Sequence, residues 1–283
     1  MNVKDVMSSP VYVIAPEESL SRARNLMLKH GVSRLVVVDG EIPVGIITKS
    51  DLAWKLEQDM PAWRRRSPDR TPVKLVMSEY LITTYPEASL REVAELMLEN
   101  DISGLPVIED GLVGIITKLD MVRHFSTTKS RIKVGDTMSD FVVTVHRHHS
   151  IDHVIEQMDE NKVHRVIVME DGDMPVGIIT ESNLAFTEFS DQRGELPEKD
   201  IKMVRKDAHA GRKRFRAIRK TPLVAEDVMS APLITVRKED LAVHAAKVLV
   251  DKGIDGAPVI DDGLVGIITK TDIVRAISGG ILD

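Results

Sequence analysis

Apolar positions along this chain fall into a pattern that occurs four times. In its first copy Val3-Lys4-Asp5-Val6-Met7-Ser8 leads into an extended run, Pro10-Val11-Tyr12-Val13-Ile14. Leu20, Ala23 and Met27 then follow at helical spacing, with Ser19 placed as an N-cap and Gly31 placed for a left-handed close. Leu35-Val36-Val37-Val38 predicts a buried strand, Asp39 to Pro43 a turn, and Val44-Gly45-Ile46-Ile47-Thr48 the returning strand. Leu52-Ala53 starts a second helix. The predicted unit is strand, helix, strand, strand, helix.

The second copy carries the same signals more plainly. Ser89 and Glu92 have the spacing of a capping box, and Leu90, Val93, Ala94, Met97 and Leu98 share one helical face. Asp110-Gly111 between two β-branched runs predicts a tight hairpin. The copies occupy residues 1–57, 72–126, 133–189 and 224–279, with connectors at 58–71 and 190–223. Their details alternate. Copies one and three have Arg at the head of the second strand (Arg34, Arg165) and a Pro-Val-Gly hairpin, whereas copies two and four have Gly there (Gly104, Gly256) and a Pro two residues on. The natural unit is therefore a pair, present twice. A single copy of roughly 55 residues buries too little surface to be secure alone, so each pair is expected to share a core.

Composition narrows the class. At 283 residues the length prior suggests about two domains. The chain is 43% hydrophobic but only 4% aromatic, so its core is aliphatic. A net charge of -6 argues against a chain that coats nucleic acid by global charge, and the absence of cysteine excludes disulfides, thiol nucleophiles and thiolate metal sites. No apolar run approaches the ~20 residues of a membrane span and no signal-like apolar segment is seen at the N-terminus, which predicts a cytoplasmic protein without membrane contact.

The strongest chemical signal is the end of each returning strand: Gly45 to Asp51, Gly114 to Asp120, Gly177 to Asn183 and Gly266 to Asp272, each with a Thr three residues before the acid or amide. Thr48, Thr117, Thr180 and Thr269 stand where a strand meets a helix, beside unsatisfied N–H groups and the positive end of the helix dipole, a setting that suits phosphate. Asp51, Asp120 and Asp272 suit the paired hydroxyls of a ribose. Thr-x-x-Asp before a helix is equally a capping pattern that needs no ligand, and one residue pair can serve both ends. Lys49, Lys118 and Lys270 add positive charge in three copies. The third has Glu181 and Asn183 instead, so a site built on Thr180 is expected to be empty, weak or suited to a less charged ligand.

The Val-Met-Ser opening, the order of elements and the Gly-Ile-Ile-Thr-x-x-Asp ending resemble the CBS domain, named after cystathionine β-synthase and found in pairs called Bateman modules. The resemblance covers nearly the whole chain and implies an α/β fold of four CBS repeats in two tandem pairs. Four such repeats also resemble the nucleotide-sensing γ subunit of AMP-activated protein kinase and stand-alone archaeal CBS proteins. It implies a non-catalytic regulatory protein that binds AMP, ADP or ATP between paired repeats, needs no other cofactor, and acts on a protein partner or as a homodimer. In the family, the Thr contacts phosphate and the Asp contacts ribose. A basic residue entering the second strand reaches the phosphate, matched here by Arg34 and by His164-Arg165, and the first strand holds adenine, matched by Val13, Thr83, Thr144 and Thr235. An S-adenosylmethionine-type ligand is the alternative within the class.

Three other features compete. The connectors are basic: Trp63 precedes Arg64-Arg65-Arg66, while Lys202, Arg205, Lys206, Arg212, Lys213, Arg214, Arg216, Arg219 and Lys220 surround Phe215. They allow a nucleic-acid-binding regulator, but no nucleic-acid motif accompanies the charge, and a solvated helical excursion or docking surface is the favoured expectation. His146, His148, His149 and His153 cluster without the spacing of a metal site, so no metal is expected. Nucleotide-hydrolysis, dinucleotide and hydrolase motifs are absent, and the duplicated Thr and Asp positions favour binding over catalysis.

Overall fold

The computed structural model describes residues 1–52, 70–186, 198–204 and 216–279. In repeat 1, β1 (Val13–Ile14) lies parallel to β2 (Arg34–Asp39), which pairs antiparallel with β3 (Ile42–Thr48). Between β1 and β2 runs α1 (Leu20–His30), started by Ser19, whose hydroxyl accepts the Arg22 N–H at 3.2 Å, and ended by Gly31 at φ 65°. A further helix opens at residues 49–52.

Repeat 2 has α2 (Leu90–Glu99), β4 (Gly104–Ile108), β5 (Leu112–Thr117) and α3 (Lys118–Phe125). Its expected first strand shrinks to one parallel bridge, Thr84 to Val107. Repeat 3 restores the three-stranded order with β6 (Thr144–His146), α4 (Ile151–Glu160), β7 (Arg165–Glu170), β8 (Met174–Thr180) and α5 (Glu181–Phe186).

The connector differs from the expected helical excursion. It contains β9 (Glu198–Val204) and β10 (Arg216–Pro222), an antiparallel hairpin with Arg216 opposite Val204 and Pro222 opposite Glu198. Ile201, Val204, Ile218 and Thr221 favour strand over helix. Repeat 4 adds the short α6 (Ala225–Val228), then α7 (Ala242–Lys252), β11 (Gly256–Ile260), β12 (Leu264–Thr269) and α8 (Lys270–Ser278).

Two compact units result. One holds repeats 1, 2 and most of 4; the other holds repeat 3 from Val143, the hairpin and the opening segment of repeat 4, up to Pro232. The expectation of one core per tandem pair needs correction. Within the first unit the largest core joins repeats 2 and 4: Val93, Met97, Met121 and Phe125 meet Ala245, Leu249, Ile273 and Ile277, all buried. Alanines at 242, 245 and 246 let the helices approach closely. Repeats 1 and 3 keep separate cores under their own sheets.

Tandem repeats are joined by exchange of their opening segments. Ser8 of repeat 1 bridges to Ile115 on β5, and Ser78 of repeat 2 bridges to Ile46 on β3. Val3 enters the repeat 2 core, while Val73 and Val76 enter that of repeat 1. The pattern recurs with Ser139 on Ile267 in the first unit and Ser230 on Ile178 in the second. Here lies the reason for the repeated Gly. A Cβ at Gly45 would stand 2.7 Å from the Ser78 carbonyl oxygen, and one at Gly266 2.7 Å from that of Ser139. At Gly114 and Gly177 it would meet Met7 and Met229. The Met-Ser opening and the strand glycine are two halves of one contact. Among the described residues no helix is long and apolar enough to cross a membrane.

Candidate functional site

The four hairpins end in the same register: Arg34, Gly104, Arg165 and Gly256 lie opposite Thr48, Thr117, Thr180 and Thr269. Each Thr then caps the helix that follows. The Thr48 N–H and hydroxyl donate to Asp51 Oδ2 at 2.9 and 2.8 Å, those of Thr117 to Asp120 at 2.9 and 2.6 Å, and those of Thr269 to Asp272 at 2.8 and 2.7 Å. Asp51, Asp120 and Asp272 return their own N–H to the Thr oxygen at 3.2, 3.3 and 3.4 Å. The capping alternative is thus realised. The hydroxyl proton of each Thr is spent inside its cap, leaving one lone pair of Oγ1 for anything else.

What remains of each carboxylate differs. Asp120 Oδ1 accepts the Ser8 hydroxyl at 2.9 Å and Arg123 at 3.3 Å, and Asp272 Oδ1 accepts Arg275 at 2.7 Å. Asp51 Oδ1 takes no hydrogen bond among the described residues. In repeat 3 Asn183 keeps the cap, its Oδ1 accepting from Thr180 at 3.0 and 2.8 Å, while its Nδ2 donates to Ser230 Oγ at 3.0 Å. The hydroxyl of the exchanged segment donates in repeat 2 and accepts in repeat 3. Asparagine serves the cap without contributing charge.

Arg34 is the exceptional side chain of the first unit. A Cβ at Gly104 would lie 2.5 Å from its Nη1 and 3.3 Å from Cζ, so the guanidinium is pressed on the glycine backbone of the paired repeat. In repeats 1 and 2 the Arg and the Gly are therefore a steric match. Desolvation pushes the Arg34 pKa down to about 10, against the opposing pull of Asp255, Asp120 and Asp51. Among the described residues it makes no hydrogen bond and no close ion pair. Asp255 was not foreseen from the sequence. Its signal was its place immediately before Gly256, equivalent to His164 before Arg165.

The lysines are less available than expected. Lys118, buried, donates to Thr271 Oγ1 at 3.1 Å, and Lys270 pairs with Asp255 at 2.5 Å. Exposed His164 pairs with Glu181 at 2.6 Å, so the acid that replaces Lys in repeat 3 engages the first residue of the His-Arg pair. Arg165 is half-buried at the head of β7. Val13, Thr83, Thr144 and Thr235 occupy equivalent positions on the first extended segments and are all exposed. Thr235 also lines a shallow open depression with Val236, Arg237, Asp240 and Ile260. Trp63, Arg64 to Arg66, Arg205, Lys206 and Arg212 to Phe215 lie outside the described residues, as do residues 53–57 and 187–189 of the expected repeats. No group of three metal-ligating side chains converges among the described residues.

A family model, the CBS domain, matches residues 3–57, 73–127, 134–187 and 224–279. The chain belongs to the CBS domain family. Its four CBS repeats form two tandem pairs, tied by the exchanged openings. MJ1404 of Methanocaldococcus jannaschii is 26% identical over 284 residues, 98% of this chain and 62% of MJ1404, so the chain spans less than two thirds of that relative. MJ1225 of the same organism is 24% identical over 292 residues, 96% of this chain and 97% of MJ1225. The crystal structure of MJ1225, described as a candidate archaeal homologue of g-AMPK, superposes with a TM-score of 0.76 at 21% identity, covering 98% of this chain and all of that one. A conserved protein from Pyrococcus horikoshii gives 0.65 at 17% identity, with 98% and 100% covered. These likenesses establish the CBS tandem-pair fold.

Proposed function

We propose that this CBS protein is a non-catalytic regulator that binds an adenosine nucleotide in its first unit, with the phosphate on Arg34 and the ribose diol on Asp51. The observation that carries this is the state of Arg34: a half-buried guanidinium pressed on Gly104, with five N–H donors and no hydrogen-bonded partner among the described residues. A planar cation held in that way is matched by a phosphate, which can accept two parallel N–H bonds. Asp51 keeps one carboxylate oxygen uncommitted beside it, whereas those of Asp120 and Asp272 are taken. The exposed Val13 on β1 and the exposed Thr83 beside the Thr84 bridge offer extended backbone for the base.

Binding is favoured over catalysis because the polar groups at each junction repeat the same role instead of dividing nucleophile, acid and base among themselves. Regulation follows if the ligand has different affinity for two arrangements of the repeats, one of which a protein partner or second copy recognises. Calorimetric titration with AMP, ADP, ATP and S-adenosylmethionine tests the reading. At least one adenosine nucleotide is expected to bind with Kd in the micromolar range, about 8 kcal/mol. Failure of the whole panel to bind overturns it.

A further inference from the structure

The second unit contains a feature that nucleotide binding does not use. The opening segment of repeat 4 docks on the turn between β6 and α4: the Ala225 N–H donates to the His149 carbonyl at 2.9 Å and the Glu226 N–H to that of Arg147 at 3.0 Å. Arg147 clamps the segment further by donating through Nε to Glu226 at 2.9 Å, and is itself anchored through Nη1 to Glu170 on β7. The clamp is reversed relative to the other three exchanges. There the opening segment carries the cation, as in Lys4–Glu87, Lys74–Glu17 and Lys133–Glu239.

The same turn is held together by two imidazoles acting as acceptors. His149 Nδ1 accepts the His146 N–H at 3.2 Å, and His146 Nδ1 accepts the His148 N–H at 3.4 Å. Each of these bonds requires an unprotonated Nδ1. The rings are packed together, His149 to His153 at 4.5 Å, His146 to His148 at 5.2 Å and His146 to His149 at 6.0 Å. Three of them have a carboxylate within reach when charged. Asp171 on the β7–β8 turn faces His146 at 3.1 Å, Glu226 on α6 faces His148 at 3.9 Å, and Glu156 on α4 faces His153 at 3.4 Å. His149 makes no ion pair among the described residues.

We propose that the His146–His149 turn is an acid-released latch, which holds the opening segment of repeat 4 while His149 is neutral and lets it go when that ring is protonated. Protonation removes the acceptor for the His146 N–H and sets an uncompensated imidazolium between His146 and His153. The carbonyls of Arg147 and His149 then lose the geometry that fixes Ala225 and Glu226. Release would also withdraw Met229 from Gly177 and Ser230 from Asn183, loosening the Thr180 junction. Burial, then His153 and His146, hold the His149 pKa below its ordinary 6.5. The released form therefore binds the proton more readily. The latch is at full strength above that ordinary value and weakens as pH falls through the lowered one.

Hydrogen exchange of the intact protein at about pH 7.5 and about pH 5 tests this across the range where imidazole titrates. The protection of residues 224–230 is read as a ratio to residues 73–76, the equivalent segment docked on Pro16 and Glu18 with no histidine in the contact. The ratio is expected to fall roughly 2- to 12-fold at the lower pH, the factor that corresponds to one net hydrogen bond. In His149→Asn, where Oδ1 replaces Nδ1 as a non-titrating acceptor while His146 still titrates, the fall should be clearly smaller. An unchanged ratio in the natural protein, or an equal fall in His149→Asn, overturns the proposal.

Discussion

Replacing Gly45 by alanine tests the contact that ties repeats 1 and 2. The new Cβ would stand 2.7 Å from the Ser78 carbonyl oxygen and 2.9 Å from Met77 Sδ. Ordinary carbon contacts lie at about 3.5–4.0 Å, so the opening segment of repeat 2 must retreat by roughly 0.8 Å or more. Met77 can swing aside, but the carbonyl is backbone and cannot. It also accepts the Ile46 N–H at 3.1 Å, while Ser78 N–H donates to Ile46 at 2.9 Å, so the retreat strains both bonds of the bridge. Two net hydrogen bonds at about 0.5–1.5 kcal/mol each, with some overpacking against buried Val73 and Val76, give a loss of about 2–4 kcal/mol. For a chain of this size that lowers Tm by roughly 3–7 °C. Urea unfolding and scanning calorimetry would measure it beside Gly111→Ala, where a Cβ meets nothing within 4 Å. If Gly45→Ala were as stable as Gly111→Ala, the account of the exchanged openings would be wrong.

Asp120→Ala should destabilise by about 2–4 kcal/mol in the same assay, because it strips acceptors from the Thr117 N–H, the Thr117 hydroxyl and Ser8 at a buried site. Asp51→Ala should be milder, since no exchanged serine is bonded to it. The Glu92 carboxyl lies below its ordinary 4.5 because it accepts the Ser89 backbone N–H and hydroxyl contact of the capping box. Its contribution is present above 4.5 and is lost as pH falls through the lowered value; stability of Glu92→Gln measured against pH should lack that acid-side loss. Gly104→Ala should displace Arg34 and weaken nucleotide binding by roughly tenfold or more by calorimetry, while unfolding changes by about 1 kcal/mol or less, since the obstructed atoms belong to a flexible side-chain end.

Much of this was legible in the chain because it rests on local rules. Ser19, Gly31 and the Ser89–Glu92 box fix helix ends by bonds within a few residues, and the Asp110-Gly111 turn fixes its hairpin in the same way. The Thr-x-x-Asp pattern declared a cap, and a cap is what forms. The pairing of Arg with Gly was visible as alternation, but its cause was not, since Arg34 and Gly104 are 70 positions apart and meet only after the repeats pack. The exchange of openings was hidden for the same reason: a Met-Ser segment and a strand glycine carry no local mark that they touch. The shared core of repeats 2 and 4 depends on helix faces from distant parts of the chain, and the connector hairpin was masked by its charge.

The role proposed for Arg34 is that of a phosphate receptor. Calorimetry of AMP and of adenosine, each with the natural protein and with Arg34→Ala, isolates it. A charge-assisted bond of about 1.5–3 kcal/mol predicts that the substitution weakens AMP roughly 12- to 160-fold and leaves adenosine within about threefold. Equal losses for both ligands, or no loss for AMP, would contradict the account.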